Sequence, residues 1–164
     1  MNRMYLETLQ IGIVAGMRSM MAPAFISHKL AHDQPGGLAN SKLHFLTSPT
    51  TATVLKLLAG GELVGDKVPN APDRIVPPQF IGRVLSGALS GAAFSEIEGE
   101  SVACGALIGG LGAVIGTVAF FHIRHWLTHE QGLPDPLVAL AEDAIAIGTS
   151  WQLMKPDHSI HEEA

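Results

Sequence analysis

Glu142 and Asp143 stand side by side in the run ALAEDAIAIG, which otherwise reads as buried apolar helix. Carboxylates in such a run can hold a proton or a cation, or pair with cations from other segments. At 100° per residue, Ala139, Glu142, Asp143, Ala146, Thr149 and Ser150 share one face, while Leu140, Ala144, Ile145, Ile147 and Trp151 fall elsewhere. The acids therefore sit on a small, polar stripe that belongs toward protein or water. On the membrane-insertion scale a central acid costs roughly 3 kcal/mol, whereas a Leu or Ile returns about 0.5 kcal/mol. Two charged acids outweigh the aliphatic residues around them, so this segment needs partners or protonation.

Candidate partners exist. Arg83 shares its helix face with Gln79, Ser86, Gly87 and Ser90, again small and polar. Glu62 and Asp66 lie one turn apart and form a second acidic pair. Arg18 points away from the Gly12, Gly16 and Ser19 side, and marks a break before Pro23 where half-helix ends can face a site. Lys67 and Arg74 belong to the proline-rich stretch DKVPNAPDRIVP, a loop able to fold over that site. The expected centre has Glu142 and Asp143 on its acidic side, Arg18 and Arg83 on its basic side, and Glu62 and Asp66 beside them. Two roles fit: a polar site for an ion, proton or small solute, or ion pairs that merely hold helices together.

The elements that must position these residues are helical. Of 164 residues, 47% are hydrophobic and 15% charged, against about 25% charged in soluble domains. Ser101–Ile123 runs 23 residues without a formal charge, enough to cross hydrocarbon, and ends in His122, Arg124, His125 and Trp126 as an interfacial belt. Four interrupted apolar segments accompany it: Leu9–Leu30, Thr51–Gly65, Pro78–Phe94 and Pro136–Met154. Asp135 and Pro136 read as N-cap and first helical residue of the last segment, and Ser95 with Glu98 as a capping box. The expected architecture is all-α, a polytopic transmembrane bundle of about five segments in one domain, 1–154, with a flexible polar tail, 155–164.

Arg3 precedes the first apolar stretch, but Glu7 and Arg18 interrupt it, so it reads as a retained helix and not a cleaved signal. With five spans, Arg3, Lys67, Arg74 and Arg124 gather on one side, which the positive-inside rule places in the cytoplasm. Small residues recur at four-residue spacing in Gly12/Gly16, Gly61/Gly65, Gly87/Gly91, Gly105/Gly109 and Gly112/Gly116. Such grooves let helices approach closely, within a subunit or, along Gly105–Gly116, between subunits of a homo-oligomer. An Arg-bearing segment precedes an acid-bearing one twice, a loose repeat that both two-halved transporters and chance produce.

Other chemistries find little support. His122, His125 and His129 face one side of a helix end, and His28 with His32 another, but five spans put the groups on opposite faces; no metal or other cofactor is expected. No nucleophilic triad, phosphate loop or dinucleotide fingerprint occurs, so no enzyme is expected. A net charge of −5 without a basic stripe argues against nucleic acid, and the lone Cys104 excludes an internal disulfide.

Four stretches together, AGMRSMMAPA at 15–24, DKVPNAPDRIVPPQFIGRVLSGALSGAA at 66–93, GALIGGLGAVIGT at 105–117 and AEDAIAIG at 141–148, resemble the domain-of-unknown-function 4126 family. These are small integral membrane proteins, found mainly in bacteria. By that resemblance Arg18, Asp66, Lys67, Pro69, Arg74, Arg83, Glu142 and Asp143 fall on the family's polar motif positions. The resemblance implies a lipid-embedded, multi-pass protein of the inner membrane and no particular activity. The expectation is a small transporter or channel for an ion, proton or small solute. A non-transporting scaffold or accessory subunit, assembled through buried ion pairs, is the alternative.

Overall fold

The computed structural model describes residues 3–34, 36–65 and 75–154. It is all-α: α1 (Arg3–Met17), α2 (Met21–Asp33), a 3-10 turn (His44–Thr47), α3 (Pro49–Gly65), α4 (Pro77–Ile97), α5 (Val102–His125), a π-turn (Trp126–Glu130) and α6 (Asp135–Met154). No strand occurs among the described residues. The expected first segment is thus two helices, making six where five segments were expected. The break falls at Arg18–Met20, at Arg18 and before Pro23 as the sequence suggests, and Pro23 itself sits in the first turn of α2. A proline there is harmless, because that N–H has no partner within the helix.

Glycine sets the centre of the bundle. Gly12 and Gly16 of α1 lie against Gly109, Gly112, Ala113 and Gly116 of α5, so these two helices run parallel. Gly91 and Gly87 of α4 lie against Gly105 and Gly109 of α5, so α4 runs antiparallel to both. At each of these contacts an added Cβ would overlap a backbone carbonyl or Cα of the neighbouring helix. The stripe Gly105–Gly116 is therefore filled within one chain, by α1 on one side and α4 on the other. A Cβ added at Gly60, Gly61 or Gly65 of α3, by contrast, would meet nothing within 4 Å among the described residues.

The other helices alternate in direction around this core. From Arg18–Met20, α2 returns beside α1, and Ile11, Ile26 and Phe94 line one crevice. The Ser27 hydroxyl donates to the Leu46 carbonyl at 2.7 Å, fixing the start of α3, which climbs back to the break. Pro77 and Pro78 open α4, and Gly99 at φ 75° closes it. Ser101, not Ser95, caps α5, accepting from the Cys104 N–H at 3.4 Å; Ser95 is buried within α4 and Glu98 is that helix's C-cap. Asp135 belongs to α6 and is not its cap; its carboxylate binds Arg124 instead. The loose repeat has no counterpart in packing, since α1 lies along α5 and α4 while α2 lies along α3.

The extra helix also changes sidedness. Met4 of α1 meets Ser95 near the end of α4, with their sulfur and hydroxyl 3.8 Å apart. From that end α5 runs away to Arg124 at the other. Arg3 and Arg124 thus lie at opposite ends of the bundle, so Arg124 does not join Arg3 as expected, while Lys67 and Arg74 lie outside the described residues.

Two buried arginines and many exposed aliphatic side chains accompany the apolar core of Ile11, Val14, Met17 and Leu30. Arg18 is 1% exposed and Arg83 3%, whereas Leu57 is 71% and Leu107 70% exposed. Leu111, Ile115, Ile81, Leu85, Leu140 and Ile145 likewise face outward. Val102–Glu130 is, among the described residues, the one helix long and apolar enough to cross a bilayer.

Candidate functional site

The break between α1 and α2 exposes two kinds of orphan backbone group inside the protein. A helix leaves its last carbonyls and its first N–H groups unsatisfied, with partial negative and partial positive charge respectively. Here Met20, the residue before α2, offers no side-chain cap. Glu62 of α3 supplies one. Its Oε1 accepts from the Ser19 N–H at 2.8 Å and the Ser19 hydroxyl at 3.0 Å, and its Oε2 accepts from the Met20 N–H at 2.9 Å.

Arg83 of α4 serves the other end. Its Nη1 donates to the Gly16 carbonyl at 2.9 Å and the Met17 carbonyl at 2.6 Å. The Thr117 hydroxyl reaches the Gly16 carbonyl at 3.2 Å, and the Ser86 hydroxyl donates to the Ser19 carbonyl through a short bond. Carboxylate on the N-terminal end and guanidinium on the C-terminal end are the signs that helix dipoles favour. The two side chains also face each other, Arg83 Nη2 standing 3.6 Å from Glu62 Oε1.

Arg18 lies in the break and turns toward α6. Its Nε donates to Asp143 Oδ1 at 2.8 Å, and its Nη2 lies 2.5 Å from the same oxygen. Glu142, one residue earlier on α6, stands 3.6 Å from Arg124 Nη1. Arg124 also holds Asp135 bidentately, at 2.9 and 2.7 Å. Glu142 is 4% exposed and Asp143 7%. Four helices and the break itself bring Arg18, Arg83 and Arg124 against Glu62, Glu142 and Asp143, with Glu62 and Arg124 partly exposed and the other four buried.

The predicted stripe on α6 faces inward as expected: Ala139, Glu142, Asp143, Ala146 and Ser150 are buried. So are Arg83, Ser86 and Ser90 on α4. Asp66, Lys67 and Arg74 lie outside the described residues. Arg124 is the residue sequence reasoning missed, having been assigned to an interfacial belt. The histidines stay at the two ends, with His28 and His32 on α2 and His125 stacked on His129 at 4.2 Å. No group of three or more metal-ligating side chains forms among the described residues.

The family model described as Domain of unknown function (DUF4126) matches residues 6–155, nearly the whole chain and every residue of this network. No curated protein and no solved structure matches the chain.

Proposed function

The chain belongs to the DUF4126 family, and from that premise we propose a polytopic integral membrane protein of the bacterial inner membrane, in which the α1–α2 break is a transfer site for an ion, proton or small solute. The observation that carries this reading is the break itself. Two helix ends meet inside the bundle, ringed by charges, while the outer faces of α3, α4, α5 and α6 carry Leu, Ile and Val. In hydrocarbon an interrupted helix is tolerated only where protein or a cavity satisfies its backbone, and such interruptions are a recurring device of solute and ion sites. Every group at the tip that could meet a substrate is already charged or polar: Glu62, Arg83, Ser19 and Ser86.

The chemistry follows from competition. Glu62 is a carboxylate seated where two backbone N–H groups and a hydroxyl converge. Protonating it would weaken all three bonds, because a neutral acid is a poorer acceptor. Proteoliposomes loaded with a pH-sensitive dye, and tested against a panel of ion gradients, check the proposal. Flux by the wild type that Glu62→Gln alters supports it; no flux by correctly folded protein on any gradient overturns it.

A second reading rests on the pairing. Each buried acid of the network has an arginine within 3.6 Å, and paired buried charges need no substrate. On this reading the protein is a membrane scaffold or accessory subunit, and the network serves assembly. The two readings separate on the flux assay. In either, the homo-oligomer is part of the proposal, supported by α3's Gly60, Gly61 and Gly65, where an added Cβ would meet nothing among the described residues.

A further inference from the structure

Glu62 occupies a seat shaped for a carboxylate. Its Oε1 takes the Ser19 N–H and hydroxyl and faces Arg83 Nη2, while its Oε2 takes the Met20 N–H. Two N–H groups at a helix start, a hydroxyl and a guanidinium make an anion site of four donors, the last of them from another helix. Arg83 is 3% exposed, and its Nη1 holds the Gly16 and Met17 carbonyls, so the guanidinium keeps its place without Glu62. One turn along the same face of α4, the buried Ser90 hydroxyl has no hydrogen-bond partner among the described residues, a further polar group left for a ligand. The seat is reached from outside: the Glu62 side chain is 13% exposed, and Ser19 and Met20 are partly exposed. Its occupant is also loosely carried. Gly60 and Gly61 precede Glu62, neither at a positive φ, and a Cβ added at either would meet nothing within 4 Å among the described residues. Glycine there weakens the helix without a close contact to require it.

We infer that this seat exchanges occupants: a small carboxylate anion replaces the Glu62 side chain, and that anion is the solute class of the transfer site. The inference rests on the transfer reading above. No further cavity is needed, because the group that enters is the size of the group that leaves. One oxygen of the anion meets Ser19 and Arg83, and the other meets Met20. A halide offers a single centre to donors arranged around two. A metal cation would meet only donors there once Glu62 has left.

The test is chemical rescue. The full chain carrying Glu62→Ala, purified in a non-ionic detergent, is unfolded thermally in sodium formate and in sodium chloride of equal ionic strength. Formate should raise the unfolding temperature of the variant saturably, chloride should not, and the wild type, whose seat is filled, should gain far less. Adding Ser19→Ala removes one donor to a charged acceptor and should raise the formate concentration needed about tenfold. Formate no better than chloride on Glu62→Ala, or a response that Ser19→Ala leaves unaltered, overturns the inference. If Glu62→Ala folds in neither salt, Glu62→Gln, which keeps one acceptor, takes its place under the same outcomes. Failure of the transfer reading shows separately in proteoliposomes. Rescue without flux on formate or any other gradient removes transfer and keeps the anion seat, whereas flux on a cation gradient without rescue removes the anion and keeps transfer.

Discussion

Glu62 and Arg83 stand 3.6 Å apart and hold opposite ends of the same interrupted helix. One takes the N–H groups that begin α2, and the other serves the carbonyls that end α1. Neither residue is near the break in sequence, so the break is a tertiary creation. Glu62→Gln keeps one good acceptor where the carboxylate offered two, and should lower stability by roughly 1–3 kcal/mol. Glu62→Ala removes both and should cost more. Thermal unfolding in detergent ranks the three proteins, and equal stability of wild type and Glu62→Ala would refute the capping role.

Arg18 and Asp143 form a close buried ion pair, Nη2 to Oδ1 at 2.5 Å. Removing one partner strands a charge in low dielectric, so Asp143→Ala should cost about 3–5 kcal/mol. Arg18→Met combined with Asp143→Leu removes both charges and should recover most of that loss. A double-mutant cycle on unfolding free energy measures the coupling directly. Additive single losses would mean that the two side chains do not stabilise each other.

Arg124 touches two acids of different exposure: Asp135 has a side chain 59% exposed, and Glu142 one that is 5% exposed. Water screens the first contact, so Asp135→Asn should cost less than about 1 kcal/mol. Arg124→Gln also takes the cation from beside buried Glu142, and should cost clearly more than Asp135→Asn. The same unfolding assay compares them, and a larger loss from Asp135→Asn would show that the Glu142 contact contributes nothing.

Which parts of this arrangement were legible follows from how local each cause is. The inward face of α6 is a matter of 100° steps, so Glu142 and Asp143 could be placed with Ala146 and Ser150 before any packing was known. The extent of α5 was legible for a similar reason, since a charge-free run has charged ends. The break was legible only in part. Arg18 in an apolar run marks it before Pro23, yet Met20 carries no capping side chain, and the groups that stabilise the break at Arg18–Met20 come from α3 and α4. The same holds for Arg124, whose position after an apolar run looks interfacial until α6 brings Glu142 beside it. Counting the interrupted run Leu9–Leu30 as one segment then gave five helices where six occur, and put Arg124 at the same end as Arg3.

Gly109 and Gly61 belong to similar four-residue patterns and should answer differently to the same substitution. Gly109 is pressed between the backbones of α4 and α1: its added Cβ would overlap the Gly87 carbonyl, and one at Gly12 would overlap Gly109's own. Backbone cannot rotate aside as a side chain can, so Gly109→Leu should exceed the roughly 1–3 kcal/mol of ordinary overpacking and leave little folded protein. A Cβ added at Gly61 would meet nothing among the described residues, so Gly61→Leu should leave the fold and its unfolding temperature intact. Size-exclusion chromatography in detergent reads both outcomes. If Gly61→Leu gives well-folded protein of smaller assembled mass, the open face of α3 is where copies meet; if Gly109→Leu does the same while staying folded, the packing of α1, α4 and α5 described above is wrong.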